Sequence, residues 1–169
     1  MKQKLIGYLK LVRPPIVFIS AFGAYAILCL LCYPPPADLA IKVPLVGALL
    51  AGGLMAQNDY YDLPSDRIRK KYKPLVSGIL SPMEAYWTGL ILYALSVILA
   101  FSINVPAGLF ILSVALTGWY YNARGKGKGL LGHAIVAYGV AGIIVFPCLA
   151  AWKFDMMPLA VAIFIQEIG

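Results

Sequence analysis

Apolar residues in this chain run in long blocks, and short polar or proline-rich stretches separate them. A helix needs about 20 consecutive apolar residues to cross a hydrocarbon core. The blocks predict five transmembrane helices, over residues 14–33, 43–60, 83–103, 106–122 and 131–152. A sixth apolar segment begins near Met157, but from Leu159 only 11 residues remain, too few to cross. The expectation is one all-α domain over 1–169, a polytopic bundle that stops inside its sixth span.

The punctuation agrees with these blocks. Pro14-Pro15 suits the entry to the first span, since proline is tolerated in a first helical turn. Pro34-Pro35-Pro36 cannot continue a helix and marks an outer turn, and Pro44 is read as opening the second span. Gly47, Gly52 and Gly53 would let neighbouring helices approach closely. Ser81-Pro82-Met83-Glu84 reads as a capping box, which makes Glu84 structural. Asn104-Val105-Pro106 reads as a tight outer turn. Lys2, Lys4, Lys10 and Arg13 precede the first block as a signal peptide would begin. The block is too long for that, and no small-residue cleavage site follows it before Tyr33.

Composition strengthens the membrane reading: 62% of residues are hydrophobic and the mean hydropathy is +0.83. The net charge of +7 then becomes a topology signal. With five spans, 12 of the 14 basic residues fall on the side that holds the N-terminus, residues 58–82 and residues 123–130. Only Lys42 and Lys153 fall on the other. Such asymmetry places the N-terminus in the cytoplasm. Anionic lipid is a second partner for this charge, and no nucleic acid partner is expected. Cys29, Cys32 and Cys148 sit in apolar blocks without a histidine cluster, so they read as small core residues. His133 reads as a polar helix-end residue. Gly125-Lys126-Gly127-Lys128-Gly129 is a flexible basic loop that lacks the spacing of a phosphate-binding P-loop.

Against this background one stretch stands apart: Asn58-Asp59-Tyr60-Tyr61-Asp62-Leu63-Pro64-Ser65-Asp66. It holds three of the chain's seven acids. Asp59, Asp62 and Asp66 are spaced so that a helix would carry all three on one face. Pro64 argues that the helix ends near Asp62 and that Asp66 reaches back from the loop. Like charges so placed call for a cation, and a hard divalent ion suits oxygen ligands. Arg67, Arg69, Lys70, Lys71 and Lys73 follow directly, which adds a polyanion to the expectation. Metal and cations together would stabilise a departing diphosphate, and a cavity between the helices would house its apolar tail.

Asn58-Asp59-x-x-Asp62-x-x-x-Asp66, followed by Lys73-Pro74-Leu75-Val76-Ser77-Gly78, resembles the first aspartate-rich motif of the UbiA-type intramembrane prenyltransferases. Arg13-Pro14, Tyr121-Asn122 and Gly127-Lys128-Gly129-Leu130-Leu131-Gly132 fit the same pattern. The resemblance implies Mg²⁺-dependent transfer of a prenyl group from an isoprenyl diphosphate to a small aromatic or hydroxyl acceptor in the membrane. It implies an all-α bundle of about nine helices, of which this length, at about 20 residues per span, covers the first five to six. It assigns Asp59, Asp62 and Asp66 as catalytic, and Asn58 with all three as metal ligands. Asn58, Arg67, Lys73, Tyr121 and Lys128 would meet the diphosphate, and Arg13 the acceptor.

Three positions depart from the family pattern. Arg69 stands where an amide is frequent, Lys73 where arginine is, and His133 where asparagine is. The lysine keeps the charge and loses the bidentate fork. A second aspartate-rich motif is expected on the sixth span, and Gln166-Glu167-Ile168-Gly169 resembles the approach to it. The 169 residues alone are therefore expected to supply half a metal site and to be inactive by themselves. A transporter or channel with a cytoplasmic-side cation site is the rival class, since intramembrane acids often line ion paths. Its weakness is the basic cluster beside the acids. A CDP-alcohol phosphotransferase is a second enzyme rival, and the chain lacks its Asp-Gly…Ala-Arg lead-in.

Overall fold

The computed structural model describes residues 2–69 and 72–168. Eight α-helices follow one another: α1 (Lys2–Val12), α2 (Pro14–Leu31), α3 (Ala37–Tyr61), α4 (Leu63–Arg69), α5 (Pro82–Phe101), α6 (Val105–Tyr120), α7 (Leu130–Ala151) and α8 (Met157–Ile168). A π-helical turn, Tyr121–Gly125, follows α6, and no strand is present among the described residues. The all-α expectation holds.

Four helices, α2, α3, α5 and α7, are long and apolar enough to cross a membrane. The fourth expected span is α6, with 16 residues. Its π turn continues the rod, and together they rise about 30 Å, one hydrocarbon thickness.

The helix starts differ from expectation in two places. The chain ahead of the first span is itself helical. In α1, Lys2, Lys4 and Lys10 share the helix with exposed Leu5, Ile6 and Leu9, while Gly7 and Leu11 are buried. This amphipathic pattern is too short to register as a span. The second span begins at Ala37 rather than near 43, with Pro36 at its N-cap, so Pro44 lies inside α3 instead of opening it. Asp38 in the first turn complements the helix dipole. The hydrogen bond that Pro44 removes is offset by packing along a 25-residue helix.

Helix α3 is the axis, with α2, α5, α6 and α7 around it and α8 resting on α7. The main core is built from Leu28, Val46, Leu50, Ile111, Val114 and Phe146. A second cluster, with Leu11, Ala56, Leu63, Leu75 and Leu80, ties α1 and the loop before α5 to the end of α3. The capping box forms as read: Ser81 Oγ accepts from Glu84 N (3.2 Å) and Glu84 Oε2 accepts from Ser81 N (2.7 Å). Glu84 Oε1 also accepts from Lys4 Nζ at 2.7 Å, which anchors α1. Asn104 caps α6 by accepting from Ala107 N at 2.8 Å.

The helices approach closely where glycines allow it. A Cβ on Gly53 would stand 2.7 Å from the Tyr93 ring and 3.1 Å from the Gly89 carbonyl oxygen. The second neighbour is backbone and cannot move aside cheaply. Gly139 on α7 has open space around it. Gly53→Ala should destabilise the protein by about 1–3 kcal/mol through overpacking, whereas Gly139→Ala should be neutral or slightly stabilising. Thermal unfolding of both variants in detergent checks the contrast.

Candidate active site

The last turn of α3 carries Asn58 and Asp59, and the chain continues through Asp62 without a break in hydrogen bonding. Asp62 N donates to Asn58 O (2.9 Å) and Asp66 N donates to Asp62 O (2.8 Å). Pro64 occupies the second position of the short helix α4, where a missing donor is tolerated. Asp66 therefore sits on a helix, not on a loop reaching back. The reason is that Asp62 keeps a right-handed helical backbone and re-nucleates the next turn.

Asp59 is 2% exposed, and its Oδ1 accepts from two cations. Arg13 Nη2 lies at 2.6 Å and Lys73 Nζ at 2.7 Å. Lys73 Nζ also donates to Asp66 Oδ2, so one ammonium joins two carboxylates. Burial pushes Lys73 down, but the hydrogen bonds and charges of Asp59 and Asp66 outweigh it and hold its pKa above the ordinary value of 10.5. Arg13 reaches Asp59 from the corner between α1 and α2, where its backbone is left-handed (φ 55°, ψ 78°). Such a conformation is costly for a side-chain-bearing residue and is held only where the surroundings fix it.

Asp62 faces a different partner. Its Oδ1 accepts from Lys126 Nζ at 2.5 Å, in the loop after the π turn. The three aspartates thus do not converge on one point, as uninterrupted helical spacing suggested. Asp59 and Asp66 gather around Lys73, while Asp62 turns to Lys126. The Asn58 amide can take two orientations. In one it makes weak contacts with Asn122 Oδ1 (3.3 Å) and Arg13 (3.4 Å). In the other, Nδ2 donates to Asp62 Oδ2 (3.1 Å) and Oδ1 accepts from Lys126 Nζ (2.9 Å). The second satisfies both ends of the amide and is the one its surroundings favour.

The other residues named from sequence divide. Tyr121 begins the π turn and, with Asn58 and Asn122, lines an apolar cavity of about 300 Å³ between α2, α3, α6 and α7. Leu50, Phe110, Val114 and Phe146 form part of its wall. Lys128 is exposed and donates to Tyr120 Oη at 2.8 Å, away from the acids. Arg67 is exposed on α4 and makes none of the ion pairs among the described residues. Lys70, Lys71 and Gly169 lie outside the described residues. His133 is exposed near the start of α7, and the three cysteines are free thiols.

Sequence reasoning missed Lys126 as part of this site and gave Asn122 no role beyond fitting the family pattern. Asn122 is buried and donates to Leu54 O at 3.2 Å, pinning the π turn to α3. Gln57 is fully buried and donates to Tyr86 O at 2.8 Å. Lys126 and Lys128 look alike in a glycine-rich loop. The hydrogen bond from Lys126 N to Tyr121 O (3.1 Å) extends the wide turn and selects Lys126 as the inward one.

The donor set suits a magnesium ion. Asn58, Asp59, Asp62 and Asp66 offer hard oxygen atoms only. No group of three carboxylate, histidine or cysteine side chains among the described residues stands together as a cage.

Comparison with known proteins bears on the same region. The model of the UbiA prenyltransferase family matches residues 14–166. A digeranylgeranylglyceryl phosphate synthase of Korarchaeum cryptofilum is 33% identical over 151 residues, which cover 88% of this chain and 52% of that protein. The protein of the same name from Ignicoccus hospitalis is 29% identical over 174 residues, covering 98% and 57%. The chain thus spans about half the length of these curated relatives. Among solved structures, one of digeranylgeranylglyceryl phosphate synthase in membranes superposes with a TM-score of 0.88 at 25% identity, covering 99% of this chain and 59% of that one. A UbiA homolog from Archaeoglobus fulgidus bound to DMAPP and Mg²⁺ superposes at 0.83 with 21% identity, over 95% and 60%, a likeness of fold.

The Lys73 ion pairs have a pH signature. A lysine whose pKa is raised on folding stabilises the protein fully below its unfolded value and loses that contribution as pH climbs through the folded value. The melting-temperature difference between the parent and Lys73→Met should therefore be constant from about pH 7 to 9 and shrink above the ordinary lysine pKa. Thermal melts from about pH 7 to about pH 11 measure it.

Proposed function

The chain belongs to the UbiA prenyltransferase family, and from that premise we propose that its protein transfers a prenyl group from an isoprenyl diphosphate to a hydroxyl acceptor inside the membrane. The observation that carries this reading is a juxtaposition. An oxygen-rich, lysine-lined polar site stands at the mouth of an apolar cavity, and Asn58, Tyr121 and Asn122 belong to that cavity's rim. A diphosphate with an isoprenoid tail has the same division.

In this reading Mg²⁺ would take one or two carboxylate ligands from among Asp59, Asp62 and Asp66, with Asn58 beside them, and fill its shell with phosphate oxygens and water. Bound there, the ion supplies charge neutralisation for the leaving diphosphate. Lys73, Lys126 and Arg13 add positive charge around the diphosphate oxygens. The apolar wall encloses the tail and keeps water from the allylic carbon as its bond to oxygen breaks. The acceptor oxygen then bonds to that carbon and gives up its proton to the departing diphosphate or to solvent. The relatives' shared name favours a glyceryl phosphate acceptor that already carries one prenyl ether. Arg13, expected from sequence to meet the acceptor, is read here with the diphosphate instead, because its guanidinium pairs with Asp59. Lys128 and Arg67, also assigned to the diphosphate from sequence, are left at the periphery.

The site opens on the face that carries most of the chain's basic residues. By that asymmetry we assign it to the cytoplasmic side. The bundle, which spans about half the length of its relatives, is read as part of one prenyltransferase domain.

Diphosphate release from geranylgeranyl diphosphate by the full-length protein tests the proposal. Release should require Mg²⁺, and activity undiminished by chelation would reject the mechanism. Asp59→Asn should lower the rate by about 10²-fold or more. Lys126→Ala should cost more than Lys128→Ala, because only Lys126 touches the acidic motif. Equal losses would mean that the loop rearranges around substrate.

A further inference from the structure

Each carboxylate of the acidic motif is already matched to a cation that belongs to the chain. Asp59 Oδ1 holds both Arg13 Nη2 and Lys73 Nζ, Asp66 Oδ2 holds Lys73, and Asp62 Oδ1 holds Lys126. A carboxylate oxygen offers two lone pairs, so Asp59 Oδ1 has none to spare. Lys73 Nζ stands between Asp59 and Asp66, in the place that a divalent ion shared by those two would take. Its side chain is 16% exposed, and those of Asp59 and Asp66 are 2% and 9% exposed, so water substitutes poorly for any partner lost.

The two cations come from separate parts of the fold. Arg13 arrives from the corner before α2, and Lys73 from the loop after α4. Each can leave Asp59 without dragging the other. Lys73 is a flexible point charge with three donors, and Arg13 carries a five-donor fork, so either can hold phosphate oxygens once released.

Resting on the prenyltransferase reading, we infer that Arg13 and Lys73 compete with divalent metal for Asp59 and Asp66, and so make the site selective for metal and diphosphate together over either alone. Free metal would satisfy the carboxylates but strand a guanidinium and an ammonium without an anion. Free diphosphate would satisfy those cations but strip buried Asp59 of its counter-charge. Removing one partner from a buried ion pair is costly in both cases. Only the two ligands together replace every interaction they displace. The coupling is reciprocal: each ligand tightens the other by the same factor. Lys73 is then a specificity-determining residue as well as a diphosphate contact.

Equilibrium dialysis with Mn²⁺ as the metal, with and without inorganic pyrophosphate, tests this on the full-length protein purified in detergent. The parent should bind Mn²⁺ weakly alone and about tenfold or more tightly with pyrophosphate, within the usual range of coupling. Lys73→Met should bind Mn²⁺ alone about five- to tenfold more tightly than the parent, and pyrophosphate should add less to it. Arg13→Met relieves the same oxygen from the other side and should shift the same way. It carries the test if Lys73→Met does not fold. If pyrophosphate still promotes Mn²⁺ uptake but neither variant binds Mn²⁺ alone more tightly, the competition is overturned and the prenyltransferase reading stands. If the parent takes up no Mn²⁺ under either condition, that reading fails and the inference fails with it.

Discussion

The carboxylate of Asp59 sits at the end of an apolar helix with 2% of its surface exposed. A charge in that position is tolerable only if counter-charges come to it. They come from distant segments: Arg13 from the corner between α1 and α2, and Lys73 from the loop after α4. The left-handed backbone at Arg13, the turn of chain through Asp62 into α4 and the packed loop before α5 are the means by which those cations arrive. Lys126, just after the π turn that follows α6, pairs with the more exposed Asp62. The polar end of the molecule is organised as the solution to one electrostatic problem.

The apolar part solves a separate one. Around α3 the helices must approach closely yet leave room for a ligand. Gly53 lets the Tyr93 ring lie against the helix backbone, Gly89 makes room for Gln57, and Gly118 for Leu54. The cavity between α2, α3, α6 and α7 is what remains where larger side chains hold the helices apart. Two buried side-chain atoms on the α3–α5 side of the bundle, Gln57 Oε1 and Tyr93 Oη, have no hydrogen-bond partner among the described residues.

Much of this was legible without coordinates. Long apolar blocks locate the spans because nothing else satisfies backbone polar groups in lipid. The capping box at Ser81 and Glu84 was readable because both partners lie within four residues. The acidic motif was readable because acids are scarce in this chain. The misses share a cause. Helix α1 is amphipathic and too short to stand out, and the start of α3 was hidden because Pro44 resembles a helix opening. The continuation through Asp62 into α4 was hidden by Pro64, which is unfavourable within a helix but harmless in the first turn of a new one.

By itself the sequence determined the all-helical membrane architecture, the family pattern and the identity of the acids. Those depend on composition and local spacing, which act over one or two turns. Which cation meets which acid was decided only by the tertiary structure. Lys126 and Lys128 are chemically equivalent and two residues apart, yet one reaches Asp62 and the other rests on Tyr120. The π turn between them and α6 sets that choice, and the turn itself is held by Asn122 against Leu54 on another helix. Arg13 and Asp59 lie 46 residues apart and meet through the packing of α1 and α2 on α3. Coulomb attraction between partners so far apart in sequence acts only once the helices have brought them within a few ångströms, and no local spacing rule contains that information.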